Sequence, residues 1–167
     1  MKNKLAVEDR LALTDLIAAY AWSLDTGDVE GMVNCFTEDC EVREEVFEDP
    51  DIWPGHQGIR DFADHYFGAP GFAGRQHHVT QTQFTVVDDT HVTMRSFAFV
   101  TECEGEPPYV LRFTGYYDDA AEKQADGEWL FTRRVIRLWD GEILQNFPGK
   151  GQWEPRKRPA SLVLRKK

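Results

Sequence analysis

The sequence predicts an α+β fold in which N-terminal helices pack inside a strongly curved antiparallel sheet, so that the domain forms a cone. Apolar residues recur at three- and four-residue spacing in the first 67 residues, as in amphipathic helices. After residue 74 the segments are rich in Val, Thr, Phe and Tyr, and short turn-forming stretches separate them, as in an antiparallel meander. A length of 167 residues suits one domain with a sizeable core.

The N-terminal part is predicted to contain three helices and one strand. The first helix spans residues 8–24, with an apolar face made of Leu13, Leu16, Ile17, Tyr20 and Leu24. Gly27 suits the left-handed end of this helix, and Asp28 suits the cap of a short second helix that ends near Thr37. A strand over 40–47, a loop over 49–55 and a third helix over 59–67 follow.

The C-terminal part is predicted to form four long strands, over residues 77–87, 91–103, 109–119 and 128–140. A curved sheet closed by helices encloses an apolar interior, which favours a small hydrophobic ligand. Both faces of the last three strands carry Val, Thr and Phe, so the outer face is expected to be covered in a homodimer or homotrimer.

Charge is unevenly distributed along the chain. The net charge is −10, yet the residues from Lys150 onwards are mainly basic. The sequence therefore predicts one acidic domain over residues 1–149 and a basic tail over 150–167 that lies on it. Because an acidic surface repels phosphate backbones, no nucleic-acid partner is expected.

Hydropathy and cysteine content indicate a cytoplasmic protein. No apolar run reaches the roughly 18 residues of a membrane span, and charges interrupt the N-terminal apolar stretch, so neither a span nor a signal peptide is predicted. The three cysteines (Cys35, Cys40 and Cys103) are odd in number and lack metal-site spacing. We expect a reduced protein without a metal or another cofactor.

Three segments resemble a known family. AAYAWSLDTGDVEGMVNCFTEDCEV, QHHVTQTQFTVVDDTHV and GEWLFTRRV, in that order, are similar to the SnoaL-like branch of the nuclear transport factor 2-like superfamily. The resemblance covers residues 5–140 and implies a cone-shaped, cystatin-like fold. Its members include polyketide cyclases, scytalone dehydratase, bile-acid dehydratase, a dehydrochlorinase, ketosteroid isomerases, dioxygenase small subunits and binding modules.

The resemblance implies a catalytic pair. It assigns an acid–base role to His77, which begins the segment HHVTQ, and an orienting role to Asp25 at the end of the first helix. Tyr20 matches a tyrosine of the bile-acid dehydratase. General chemistry supports the pair, because removal of a proton beside a carbonyl needs a base that is neutral near pH 7. A carboxylate can hold that imidazole in one tautomer.

The neighbouring His78 is an alternative to His77. Adjacent strand residues face opposite sides, so only one of the two histidines can line the cone. His77 is expected to share its face with Val79 and Gln83, and His78 to share its face with Phe84. Both faces are mixed, and this pattern alone does not choose between them. The same alternation disfavours a metal held by both histidines.

Arginines and aromatic residues are expected to complete the site. Arg134 matches an active-site arginine of the dehydrochlorinase, and Arg137 one of the bile-acid dehydratase. Their separation of three places them on opposite faces of a strand, so only one of them can polarise the substrate oxygen, together with Tyr20. The expected substrate-binding residues are Trp22, Phe62, Tyr66, Arg95, Phe97, Phe113 and Arg137.

These observations favour a cofactor-independent dehydratase or isomerase that acts on a hydrophobic cyclic hydroxy- or keto-substrate. A polyketide cyclase is one alternative within the family. Another is a ligand-binding or assembly module without chemistry. A third is the small subunit of a ring-hydroxylating dioxygenase, whose iron lies in another chain.

Overall fold

The computed structural model describes residues 4–69, 72–103, 107–149 and 156–158. Within them the chain forms three α-helices, six strands and a 3-10 helix. In chain order these are α1 (Val7–Thr26), α2 (Val29–Val33), β1 (Phe36–Glu45), β2 (Asp51–Pro54), α3 (Gly55–Phe67), β3 (Arg75–Val86), β4 (His91–Glu102), β5 (Val110–Lys123), β6 (Trp129–Leu138) and the 3-10 helix Gly141–Leu144. The predicted α+β fold, with N-terminal helices against a curved sheet, is confirmed.

The strands form one six-stranded sheet in the order β2-β1-β6-β5-β4-β3. The predicted antiparallel meander is confirmed for β3 to β6. The expectation of a wholly antiparallel sheet was wrong, because β1 pairs with β6 in parallel. A short turn forces neighbouring strands to be antiparallel, but β1 is far from β6 in sequence and no such turn sets its direction.

Two predicted boundaries in the N-terminal part also change. The predicted loop over 49–55 contains the edge strand β2, which pairs with β1. This strand follows Pro50 and ends at Pro54. An edge strand tolerates proline because one of its sides needs no hydrogen-bond donor. α2 ends at Val33 rather than near Thr37, because Phe36 already pairs with Phe131 of β6.

The end of α1 is built as its sequence predicts. Gly27 adopts a left-handed conformation with φ of 76°, and its N–H bonds the carbonyl of Ser23. The carboxylate of Asp28 then accepts a hydrogen bond of 2.9 Å from the N–H of Gly31 and caps α2. This tight corner fixes the last turn of α1, which carries Asp25.

The core lies between α1, α3 and the concave face of the sheet. The five apolar residues predicted for the inner face of α1 are all buried. Along β4, Val92, Met94 and Val100 are buried, whereas Phe97 is 44% exposed on the outer face. No helix among the described residues has the length and apolarity needed to span a membrane.

Candidate active site

A cavity of about 460 Å³ opens between α1, α3 and the concave face of the sheet. Its apolar wall includes Phe47, Phe62, Phe72, Val100, Phe113 and Ile136. Several polar side chains also reach it, among them Glu44, Tyr66 and His77. An apolar cavity with a few converging polar groups suits a small hydrophobic ligand.

His77 is held by a single carboxylate. Oδ1 of Asp25 lies 2.5 Å from Nδ1 of the His77 ring, and Oδ2 accepts a hydrogen bond of 2.7 Å from the His77 backbone N–H. The two side chains are only 12% and 16% exposed, His77 first. Because an ionised carboxylate can only accept, the neutral imidazole carries its proton on Nδ1 and its lone pair on Nε2. Nε2 has no hydrogen-bond partner among the residues that the structure describes.

The two adjacent histidines face opposite sides of β3. His77 lines the cavity. His78 stacks on Phe99, with ring centroids 4.6 Å apart, and its Nε2 lies 3.1 Å from Oγ1 of Thr101. The structure thus places His77, and not His78, in the cavity wall.

A β-bulge changes the face that follows His77. Gln81 has a positive φ of 48°, and the register between β3 and β4 shifts by one residue between Thr80 and Gln83. Val79 packs on the core before the bulge, and Phe84 does so after it. The expected sharing of a face by His77 and Gln83, and by His78 and Phe84, was therefore wrong, because an extra residue reverses the alternation.

Tyr20 lines the cavity from α1. The ring contacts Phe36 and Phe131 edge-on, and the Arg134 guanidinium lies 4.1 Å from its centroid. Burial raises the pKa of the Tyr20 hydroxyl to about 12. Tyr20 therefore stays protonated at neutral pH.

Arg134 does not line the cavity, so the expectation that it contacts the substrate was wrong. Its side chain is fully buried and donates two hydrogen bonds, of 2.9 and 2.8 Å, to the Asp119 carboxylate. The rings of Tyr117 and Phe131 lie against the same guanidinium. A buried charge needs a fixed counter-charge, so Arg134 and Asp119 form a structural pair in the core.

Four further residues expected at the site lie elsewhere. Trp22 is 71% exposed on the outer side of α1. Arg95 and Phe97 lie on the outer face of β4, since the alternate residues Met94 and Ser96 are buried.

The fourth is Arg137, which pairs with Glu45 and Asp118 and does not line the cavity. It lies three residues after Arg134, on the other face of β6, as the spacing predicts. By contrast, Phe62, Tyr66 and Phe113 do line the cavity.

Glu44 is a cavity residue that the sequence analysis missed. Its carboxyl accepts hydrogen bonds from Nε1 of Trp53 at 3.1 Å and from the Tyr66 hydroxyl at 2.5 Å. Burial raises the pKa of Glu44 to about 7, against the lowering effect of these two donors. A signal was present, because Glu44 follows Cys40 and Val42 at period two, on the buried face of β1.

Arg75 was also missed. It lines the cavity two residues before His77, on the same face of β3, and its guanidinium lies 4.8 Å from the centroid of the Phe72 ring. Its Nε contacts Glu102 at 3.4 Å, and Arg112 makes two shorter hydrogen bonds to that same carboxylate. Two guanidinium groups sharing one carboxylate leave net positive charge at the cavity wall beside His77.

The described part of the basic tail, residues 156–158, lies across the cavity rim. Arg158 pairs with Asp51 at 2.7 Å and with Asp49 at 3.1 Å, and it packs over the Phe47 ring. The Arg156 carbonyl accepts a hydrogen bond from the Glu48 N–H. The rest of the predicted tail lies outside the described residues.

Among the residues that the structure describes, no three His, Cys, Asp or Glu side chains are grouped closely enough to hold a metal ion. His77 and Glu44 are polar groups of the cavity wall whose side-chain chemistry suits acid–base catalysis.

Comparison with known proteins agrees with this fold. The sequence matches the SnoaL-like domain family over residues 6–135. A variant of Rv3472, a protein of unknown function from Mycobacterium tuberculosis, is 27% identical, with a TM-score of 0.70 over 82% of this chain and 75% of that chain. A candidate aromatic ring hydroxylase from Novosphingobium aromaticivorans is 26% identical, with a TM-score of 0.70 over 81% and 92% of the two chains. An NTF2-like protein with a cystatin-like fold from the same organism is 25% identical, with a TM-score of 0.71 over 81% and 85%. No curated protein matches the sequence.

Proposed function

This chain belongs to the SnoaL-like domain family, and from that premise we propose that it is a dehydratase for hydrophobic cyclic β-hydroxyketones. One observation carries the proposal: His77 is clamped by Asp25 with its free Nε2 at the wall of an apolar cavity. An oriented neutral imidazole is a suitable base for a proton next to a carbonyl group.

The reaction begins with proton transfer from the carbon next to the carbonyl to Nε2 of His77. The electron pair of that C–H bond moves toward the carbonyl and forms an enolate, while Asp25 stabilises the imidazolium. The electrons then return to form the carbon–carbon double bond, and the C–O bond of the β-hydroxyl breaks. The hydroxyl oxygen takes a proton from an acidic group of the cavity wall and leaves as water, after which solvent reprotonates that group and takes the proton from His77.

Negative charge on the carbonyl oxygen needs a donor fixed in advance. Arg75 is placed to supply it, since it lines the cavity beside His77 and shares Glu102 with Arg112. We assign to Arg75 the role that the sequence analysis gave to Arg134 or Arg137. The aromatic wall around Phe62 and Phe113 would bind the ring system of the substrate.

The same proton abstraction would also serve an isomerase or a polyketide cyclase, in which the enolate is reprotonated or attacks a second carbonyl. A second candidate function is the small subunit of an aromatic ring hydroxylase. It is favoured by the 26% identical protein described as a candidate aromatic ring hydroxylase. The dyad favours dehydration over this candidate, because a structural subunit needs no positioned base.

The test uses 3-hydroxy-1-tetralone, a bicyclic β-hydroxyketone that loses water to give fluorescent 1-naphthol. We expect the wild-type protein to form 1-naphthol. The rate of His77→Ala should be lower by a factor on the order of 10²–10⁴. His78→Ala is the matched control, because His78 faces away from the cavity, and it should keep the rate. Binding of 1-naphthol should survive in both variants.

Absence of 1-naphthol formation by the wild-type protein, with binding retained, would favour a ligand-binding module. Equal rates for His77→Ala and wild type would contradict the proposed base.

A further inference from the structure

We infer that Tyr66 and Glu44 form the acid half of this reaction: Tyr66 donates a proton to the departing hydroxyl oxygen, and Glu44 replaces that proton. The inference rests on the proposed dehydration. It adds the requirement for a general acid, because a hydroxyl group leaves only when its oxygen is protonated, whereas a good leaving group needs no proton. Tyr66 lies on α3 and Glu44 on β1, and His77 lies on β3, with three strands between β1 and β3 in the sheet order.

The geometry of Glu44 differs from that of a structural ion pair. Its side chain is 95% buried, yet its two carboxyl oxygens accept hydrogen bonds from two neutral donors, Trp53 and Tyr66. The deeply buried charges of Arg134 and Asp119, by contrast, are matched to each other. Burial disfavours the charged form and favours the protonated carboxyl, and it outweighs the two donated hydrogen bonds, which favour the anion.

The groups that face Glu44 do not offset this effect. Asp51, on β2, pairs with Arg158 at 2.7 Å, and the two charges have opposite effects on the pKa of Glu44. From α3 comes His65, whose pKa is lowered by burial and which is therefore neutral at pH 7.

The described residues that approach Glu44 from α1 and β6 are uncharged. α1 contributes Tyr20, which stays protonated because burial raises its pKa to about 12. β6 places Ile136 opposite Glu44 in the parallel register. The pKa of Glu44 is accordingly raised to about 7, and its carboxyl holds a proton for much of the time at neutral pH.

Protons balance over one turnover. In the structure Tyr66 donates to Glu44, and in the proposed protonated state this hydrogen bond reverses: the Glu44 O–H donates to the Tyr66 oxygen and leaves the Tyr66 O–H free for the substrate. As the C–O bond breaks, the Tyr66 proton passes to the leaving oxygen and the Glu44 proton passes to Tyr66. Water leaves, Tyr66 is neutral again, Glu44 is ionised and His77 carries the proton taken from carbon. Solvent water then takes that proton from His77 and supplies one to Glu44.

The leaving group provides the test. Glu44→Gln keeps a hydrogen bond to Tyr66 but holds no transferable proton, and Tyr66→Phe removes the donor. We expect each variant to slow dehydration of 3-hydroxy-1-tetralone by about 10² or more. Elimination of acetate from 3-acetoxy-1-tetralone, which also gives 1-naphthol, should change by less than about threefold, because acetate leaves without protonation. Glu45→Gln, the adjacent glutamate paired with Arg137, is the matched control and should leave both rates unchanged.

Equal slowing of both substrates would mean that Glu44 only shapes the cavity, and no slowing of either would also overturn the inference. The pH profile gives a second readout. The wild-type rate on the hydroxy substrate should fall as pH rises through about 7, where Glu44 ionises, and this limb should be absent on the acetoxy substrate.

If the wild-type protein acts on neither substrate, the proposed function fails, and the carboxyl titration decides the inference about Glu44. In a protein labelled with ¹³C at the glutamate carboxyls, one signal absent from Glu44→Gln should titrate near pH 7. Tyr66→Phe should raise its midpoint, since the Tyr66 hydrogen bond lowers the pKa of Glu44. A midpoint in the ordinary glutamate range would contradict a proton-donating role.

Discussion

The carboxylate of Asp25 holds His77 at two atoms, the backbone N–H at 2.7 Å and ring Nδ1 at 2.5 Å. Asp25 lies in the last turn of α1, where the helix dipole disfavours negative charge and no basic side chain is present. Two donors from β3 compensate for this placement. One residue thus fixes both the position of the strand and the orientation of the imidazole.

Asp25→Asn should lower turnover more than it lowers binding. An amide can present its NH₂ group to Nδ1 and stabilise the wrong tautomer, so that Nε2 carries the proton and cannot act as a base. We expect kcat on 3-hydroxy-1-tetralone to fall by about 10² or more, with 1-naphthol binding within about threefold of wild type. Near-normal kcat would exclude the dyad mechanism.

Arg75→Gln should lower kcat, because the enolate loses a stabilising positive charge. Glutamine loses the positive charge next to the carbonyl oxygen but keeps a polar side chain in the cavity wall. Loss of one fixed donor of this kind costs about 10²–10³ in kcat. Arg95→Gln, on the outer face of β4, is the comparison variant and should keep wild-type kcat. A similar kcat for both variants would remove Arg75 from the mechanism.

Asp119→Ala should strongly destabilise the fold, because it leaves the fully buried Arg134 guanidinium without its counter-charge. We expect a loss of about 3–5 kcal/mol in the free energy of unfolding, measured by urea denaturation. The double variant Arg134→Met/Asp119→Leu should recover much of this loss, because it removes both charges. Glu30→Ala, at the exposed pair with Arg60, should hardly change stability.

Glu44→Gln should change the pH dependence of stability. The Glu44 carboxyl has a folded-state pKa raised from 4.5 to about 7 by burial. Its contribution to stability is therefore fully present below the unfolded pKa and is lost as pH rises through about 7. The loss amounts to roughly 3 kcal/mol.

Urea denaturation at about pH 5 and about pH 8 measures this loss as a change in the difference between wild type and variant. Asp119, whose pKa is also raised by burial, is common to both proteins and cancels in that difference. A difference independent of pH would show that Glu44 titrates normally.

The outer face of the sheet should pair with a second copy of this chain. Phe97 is 44% exposed there, and Trp139, which also borders the cavity, packs against it edge to face and is 40% exposed. Arg95 and Asp118 beside them carry both signs of charge, which suits a self-complementary two-fold contact. Light scattering at micromolar concentration should give a dimer, and Phe97→Glu should give a monomer. A monomeric wild-type protein would contradict this expectation.

The sequence by itself determined the helices and the meander. Periodicity identified the buried face of α1, and Gly27 and Asp28 identified the corner that follows it, because helix ends depend on local backbone chemistry. The four C-terminal strands were predictable for the same reason, since turn residues and period-two patterns act over short distances. The pairing of His77 with Asp25 was implied by the family resemblance.

Only the tertiary structure decided which side chains meet in the cavity. The alternation of side chains along a strand shows that Arg134 and Arg137 face opposite sides of β6. It does not show that the inward-facing Arg134 forms an ion pair with Asp119. The bulge at Gln81 reverses the face of β3, and the parallel pairing of β1 with β6 joins residues almost a hundred positions apart. Glu44 reaches the cavity through that pairing. These outcomes depend on long-range register and on burial of charge, which no local pattern specifies.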